Sequence, residues 1–135
     1  MRKQNLKKMS EKPELGTIGW FDLTVPDAKP VADFYSKVVG WKIQNTPVDD
    51  YHDYTMCDPY SDIPRSGVCH KKGKNADLPS QWMMYIYVDN LEERCKTVIS
   101  EGGKVLKEPT PPASYVRFAV IQDPAGAVLA LFESN

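Results

Sequence analysis

The feature that most restricts the fold is an internal repetition. Asp27 and Gly40 lie 13 positions apart (40 − 27), and so do Asp89 and Gly102 (102 − 89). Each pair frames an apolar stripe with a helix start signal before it and a glycine after it. Each is preceded by a strand pattern and followed by three more.

In the first half, Phe21, Leu23 and Val25 alternate with Trp20, Asp22 and Thr24 within 16–25, the period of a strand. Asp27 offers an N-cap, and Pro30 is tolerable only in a first helical turn. Val31, Phe34, Tyr35, Val38 and Val39 then recur at i, i+3, i+4, i+7 and i+8, an amphipathic helix stopped by Gly40. Strands are expected from Trp41, over Tyr51 to Cys57 and over Gly67 to His70, with breaks at Asp58-Pro59 and Ile63-Pro64. The polar stretch from Lys71 to Ser80 reads as a linker.

The pattern then starts again. Over Gln81 to Val88, Met84, Ile86 and Val88 share one strand face, and Met83, Tyr85 and Tyr87 share the other. Asn90 with Glu93 gives a capping signal, and Leu91, Cys95, Val98 and Ile99 form the helix stripe. Gly102-Gly103 ends it. Strands follow at Lys104–Lys107, Tyr115–Ile121 and Ala127–Phe132, the last being six apolar residues after the turn Asp123-Pro124-Ala125-Gly126. The class is therefore α+β. A half of roughly 60 residues folds poorly alone, so two halves are expected to share a sheet, with helices outside and an inner face left for a ligand or for packing. Residues 1–13 read as a flexible tail and 14–135 as one domain, made of modules at about 14–75 and 76–135.

Bulk chemistry removes several functions. The net charge of −1 gives no general attraction to nucleic acid. No apolar run approaches the roughly 18 residues that span a bilayer, so no membrane partner is expected. Cys57, Cys69 and Cys95 are odd in number and have no CxxC spacing, and the basic N-terminus lacks the apolar core of a secretion signal. Reduced thiols and a cytoplasmic location follow as expectations.

The order of elements, with Phe34-Tyr35, Gly40-Trp41 and Asp123-Pro124-Ala125-Gly126 at their places in it, resembles the vicinal oxygen chelate superfamily. That group holds glyoxalases (lactoylglutathione lyases), extradiol dioxygenases, fosfomycin-resistance enzymes and bleomycin-resistance proteins. Trp20-Phe21-Asp22-Leu23 is most similar to a glyoxalase-related branch, and the resemblance covers about residues 15–134. It implies two βαβββ modules forming a half-open eight-stranded barrel with helices outside, and a homodimer.

The resemblance also implies where a metal would sit, since metal-using members place His, Gln or Glu on the inner faces of the first and last strands of each module. Here those positions fall on Trp20, on Met83 with Trp82 adjacent, on Ala130, and near Gly67 with Cys69 and His70 just beyond. Trp, Met and Ala offer neither an anionic oxygen nor an imidazole nitrogen, so no metal or other cofactor is expected. Glu133, the nearest acid, is expected at the fraying end of the last strand.

The candidate ligand-binding set is Trp20, Asp22, His52, Tyr54, Met83, Tyr85, Tyr87, Arg117 and Ala130. Its aromatic rings and methionine suit a largely apolar pocket, also lined by Thr24, Val128 and Phe132. Arg117 is expected to pair with Asp22 or to receive a ligand anion, and His52 and Tyr54 to close the rim. Segments 58–65 and 110–113 are expected near the mouth. No catalytic residue is assigned. Adjacent Cys69 and His70 point to opposite strand faces, which separates them as nucleophile and base, and Cys95 reads as core. The leading expectation is binding of a small, partly apolar molecule without metal. One rival is a metal-dependent lyase or dioxygenase using His52 and His70 with Asp22 or Asp53. A third is an interaction module whose hollow is filled by its own side chains.

Overall fold

A computed structural model describes residues 13–111 and 116–134. The expected tail up to residue 12, Pro112-Ala113 of the second mouth segment and Tyr115 lie outside the described residues. The elements are β1 (Ile18–Val25), α1 (Ala28–Val39), β2 (Lys42–Val48), β3 (Tyr51–Cys57), β4 (Pro64–His70), a 3₁₀ turn (Gly73–Asn75), β5 (Trp82–Tyr87), α2 (Leu91–Ser100), β6 (Lys104–Lys107), β7 (Val116–Gln122) and β8 (Val128–Ser134). The α+β class and the duplicated order of strand, helix and three strands are as the sequence implies. Pro64 opens β4 rather than breaking the chain before it, which its place at a strand's first residue allows.

Contacts divide the chain into two compact units, one from Phe21 to Trp82 and one joining the segment up to Trp20 with Met83 onward. The strand order is β2-β3-β4-β1 in the first module and β5-β8-β7-β6 in the second. In each, the module's first strand runs parallel to its last (β1 with β4, β5 with β8), and the other pairs are antiparallel. The two halves thus have one topology.

The helices dock differently from the expected stripes. In α1 the fully buried residues are Ala28 and Ala32, packed on Tyr54, Met56 and Val68, while Phe34, Val38 and Val39 are exposed. Two alanines let the helix axis come close to the sheet, and the larger residues turn outward. Tyr35 stays half-buried and accepts a hydrogen bond from Trp82 Nε1 at 3.0 Å, within a ring cluster that includes Trp41. In α2, Leu91 and Cys95 are buried on Ala119, Ile121 and Leu131, while Ile99 is exposed. Gly40 ends α1 at φ +86°, its N–H donating to Ser36 O at 3.0 Å, the left-handed cap that glycine adopts without strain.

The helix starts are satisfied from a distance. Asp27 and Asn90 occupy the N-cap positions, but neither side chain makes a capping hydrogen bond, and Glu93 pairs with Lys96 instead of closing a capping box. Instead, Ala28 N–H donates to His70 Nδ1 at 3.2 Å, and Leu91 N–H donates to Glu133 Oε2 at 3.0 Å. Both partners sit at the end of their module's last strand, and both lie 42 residues beyond the amide they accept from. Glu133 is therefore a helix cap and not a fraying end. An imidazole accepting at Nδ1 carries its proton at Nε2.

His70→Ala and Glu133→Ala should each cost about 1 kcal/mol, the usual worth of an N-cap acceptor. Asp27→Ala should cost clearly less than His70→Ala in urea unfolding, because Asp27 caps nothing. A Cβ on Gly19 would lie 2.8 Å from Phe132 Cζ. Gly19→Ala should therefore destabilise by roughly 1–3 kcal/mol, since Phe132 is fully buried and has little room to shift.

Candidate functional site

In each unit the strand face turned away from the helix is the candidate surface. Side chains alternate across a strand, so in the first unit this face takes the residues between Tyr54, Met56 and Val68. One row across it runs Gln44, Thr55, Gly67, Asp22, from β2 to β1. Beside it, Thr46 pairs with Asp53 and Cys69 with Thr24, and beyond its other edge Lys42 pairs with Cys57. No aliphatic or aromatic side chain stands in these rows. Asp22 and Asp53 are nonetheless only 5% and 4% exposed. Buried polar groups need partners. Asp53 Oδ1 accepts the His70 backbone N–H at 2.9 Å, Thr46 and Thr55 hydroxyls meet at 3.2 Å, and the Cys57 thiol donates toward Gln44 Oε1 at 3.6 Å.

At the Lys42–Cys57 edge this face opens into a cavity of about 340 Å³ lined by Lys42, Ile43, Gln44, Cys57 and Asp62. The loop after β3 builds its far wall. Asp58 Oδ1 accepts the backbone N–H groups of Tyr60 (2.8 Å) and Ser61 (3.0 Å), and its Oδ2 pairs with Arg65 at 3.1 Å. The Tyr60 amide, the Arg65 guanidinium and the Ser61 amide together hold the Asp58 carboxyl down at about 2. The folded loop presents Asp62, at φ +58°, to the Lys42 ammonium, and this ion pair keeps Lys42 protonated above its usual range.

In the second unit the corresponding face is apolar. Met83, Tyr85 and Tyr87 of β5 stand beside Ala130 and Phe132 of β8, and these beside Val120 and Phe118 of β7. Tyr85 stacks obliquely on Phe118 at 5.9 Å between centroids, and Tyr87 meets Phe132 edge-on at 5.5 Å. Trp20, Met83, Tyr85 and Ala130 are at most 2% exposed.

The structure separates several residues that the sequence groups together. Tyr54 belongs to the core under α1, not to a rim beside Asp22, because Tyr54 and Asp22 lie on opposite faces of their strands. His52 shares the strand face of Tyr54 and is exposed. Arg117 does not take Asp22 as its partner. Its guanidinium donates to Glu92, to Glu133 Oε1 at 2.8 Å and to Thr110 O at 2.9 Å. The Glu92 and Glu133 carboxylates raise the already high pKa of Arg117, and Arg117 holds Glu92 below the usual carboxylate range. Arg117 thus anchors the acid that caps α2.

The rival metal set is not assembled. His70 spends Nδ1 on Ala28, His52 faces solvent, and Asp22 points to the other strand face. Among the described residues, no three His, Cys, Asp or Glu side chains converge as a metal centre needs. The cavity beside Lys42 had no counterpart in the sequence reading. Lys42, Gln44 and Cys57 could have been found from the period-two pattern of β2 and β3, but Asp62 depends on the course of a loop.

Residues 17–131 match the family described as Glyoxalase/Bleomycin resistance protein/Dioxygenase superfamily. The chain belongs to this family. It is 29% identical over 131 residues to the anthracycline biosynthesis protein DnrV of Streptomyces peucetius, a match covering 89% of this chain and 48% of that protein. It is 27% identical over 121 residues to CFP32 of Mycobacterium tuberculosis, provisionally named a glyoxylase, covering 89% and 46%. The chain spans about half the length of these curated relatives. Among solved structures, it resembles protein BH1468 of Bacillus halodurans C-125 (TM-score 0.59, 15% identity, covering 90% of this chain and 96% of that one). It also resembles methylmalonyl-CoA epimerase bound to methylmalonyl-CoA and NH4+ (TM-score 0.53, 13% identity, covering 90% and 96%). These likenesses show the fold of the family.

The Asp58 loop gives a signed pH dependence. Its carboxyl is depressed from an ordinary 3.8 to about 2. The loop's support is therefore fully present above pH 3.8 and lost as the pH falls through about 2. Protection of the Tyr60 and Ser61 amides from hydrogen exchange, relative to the unfolded chain at the same pH, should be lost only in that acid window. Asp58→Asn should lower that protection at neutral pH.

Proposed function

We propose that the chain binds a small, partly apolar molecule without a metal ion or other cofactor. The observation that carries this reading is the chemistry at the strand positions where metal-using relatives hold their ion. Trp20, Met83 and Ala130 are buried and offer neither an anionic oxygen nor an imidazole nitrogen, and the histidines are engaged elsewhere or turned away. The residues present do not fit a divalent cation. The cavity beside Lys42 is of the size of a small-ligand site, the common range starting near about 300 Å³. Lys42, Gln44 and Asp62 give it charge and hydrogen bonding.

Homodimerisation belongs to the same reading. Phe34, Val38 and Val39 leave an apolar strip exposed on α1, of the kind that association covers. The three cysteines form no disulfide and are buried, which suits a reducing cytoplasm. A second reading draws on the closed aromatic face around Tyr85 and Phe132. There the strand face serves only as packing, and the chain is an interaction module.

Metal analysis of the freshly purified protein, followed by a thermal-shift screen in EDTA, separates these. The expected result is substoichiometric metal and at least one small compound that raises Tm. At a hundredfold excess over Kd, such a compound stabilises by about 2.7 kcal/mol. Stoichiometric, tightly held metal would overturn the reading. A screen with no shift would favour the interaction module.

A further inference from the structure

We propose that the outer edge of β2 is a strand-addition site, at which an extended peptide segment pairs with Ile43 and Asn45 and sets an uncharged, hydrogen-bonding side chain in the cavity beside Lys42. It shares only that cavity with the reading above, and it gives the cavity a different ligand.

β2 is the outermost strand of its module, and among the described residues no strand lies on its outer side. Its ladder with β3 is regular from Lys42–Cys57 to Val48–Tyr51. In such a ladder, successive residues turn their N–H and C=O groups alternately toward the partner and away from it. Two features fix which residues turn away. Asp49-Asp50 is a two-residue hairpin loop, and it closes on a pair, Val48 and Tyr51, whose backbone groups face each other. Val48, Thr46, Gln44 and Lys42 therefore face β3. Pro47 has no N–H, and a strand accepts proline where that side faces outward. Both features turn Ile43, Asn45 and Pro47 outward.

The cavity agrees with this assignment. Ile43 packs its side chain on the core under α1, so it lines the cavity with its backbone. An outward N–H and C=O of one residue thus stand among walls supplied by Lys42, Gln44, Cys57 and Asp62. A peptide residue in extended conformation offers the matching acceptor and donor. The next residue of that peptide turns its side chain to the face of Lys42 and Gln44. There Lys42 and Asp62 neutralise each other, and Gln44, whose Oε1 serves Cys57, presents its amide N–H groups to an uncharged acceptor.

A second copy of the chain fits this edge less well. Paired antiparallel about Asn45, it would set Pro47 opposite Ile43, and the Ile43 C=O would face a residue with no N–H. The outer strand of the other module is blunted along its whole length. β6 has four residues, a lysine at each end and a register shift between Val105 and Lys107. On β2 the same devices leave a gap, since Lys42 is drawn to Asp62 and Pro47 closes the edge only after Asn45.

The test is nuclear magnetic resonance on the isotope-labelled chain. In the free chain, the Ile43 and Asn45 amides should exchange about tenfold or more faster than those of Gln44 and Thr46. Acetyl-Val-Xaa-Val-amide, with Xaa either Gln or Thr, is then added to millimolar concentration. The Ile43 and Asn45 amide resonances should shift and gain protection, and the analogue N-methylated at both valines should do neither. Asn45→Pro removes an outward donor and should weaken the peptide about tenfold with little change in Tm. Thr46→Pro, which removes a donor to β3, should lower Tm instead. Slow exchange of Ile43 and Asn45 in the free chain, no shift with either peptide, or equal binding of the N-methylated analogue overturns the proposal. So does protection of these amides that rises with chain concentration alone, which makes the occupant a second copy. A small compound that raises Tm with no peptide binding sinks only this proposal. Peptide binding with no such compound sinks only the small-molecule reading.

Discussion

Each half of this chain depends on a contact between the end of its last strand and the start of its helix. A helix begins with N–H groups that have no partner within the helix, and burying that end without an acceptor is costly. Here the acceptors are His70 for Ala28 and Glu133 for Leu91, each reaching back 42 residues. The contact closes the module, because it joins the helix's first turn to a last strand that lies beside the first. Local capping would have let the helices form early and independently. Remote capping ties helix, first strand and last strand into one cooperative unit, which suits halves too small to fold alone.

The two caps also differ in charge. Glu133 brings a carboxylate to the positive end of α2 and is held by Arg117, which also takes Glu92 from the first turn of that helix. His70 brings a neutral acceptor to α1, flanked by the rings of Tyr51 and Tyr54, and its own backbone N–H is taken by Asp53. One geometry is thus served by an ion network in one half and by an aromatic nest in the other. Duplicated halves can drift in chemistry in this way while keeping their topology.

The topology was legible because periodicity reports it directly. Alternation in residues 20–25 and 83–88, and the glycine stops after both helices, mark elements whose bounds the structure reproduces closely. Which face of a helix docks was not legible. Ala28 and Ala32 carry little apolar signal, and Phe34, Val38 and Val39 outweigh them in any count of hydrophobic residues. The N-caps were placed correctly at Asp27 and Asn90, but their expected hydrogen bonds were wrong, because the true acceptors lie far away in sequence. At the site, period two sorts Trp20, Asp22 and Thr24 onto one face. It gives no guidance on how β3 faces relative to β1, and so Tyr54 was assigned to the wrong side. Arg117 and Glu133 were both visible as charges near strand ends. Their pairing was not, since it is fixed by the β7–β8 register and by the position of α2.

The faces turned away from the helices show where the halves have parted in chemistry. In the second unit, Met83, Tyr85, Ala130 and Phe132 form a closed apolar surface whose energy is ordinary packing. In the first, Asp22, Thr24, Asp53 and Thr55 are buried to a similar degree but polar. Such a face is a poor source of stability, because each group must recover by hydrogen bonding what it loses in hydration. Nothing in the packing of α1 requires it, since the helix rests on the opposite side of the strands. That polar surface ends in the cavity lined by Lys42, Gln44, Cys57 and Asp62, and it is on this chemistry that the proposed binding rests.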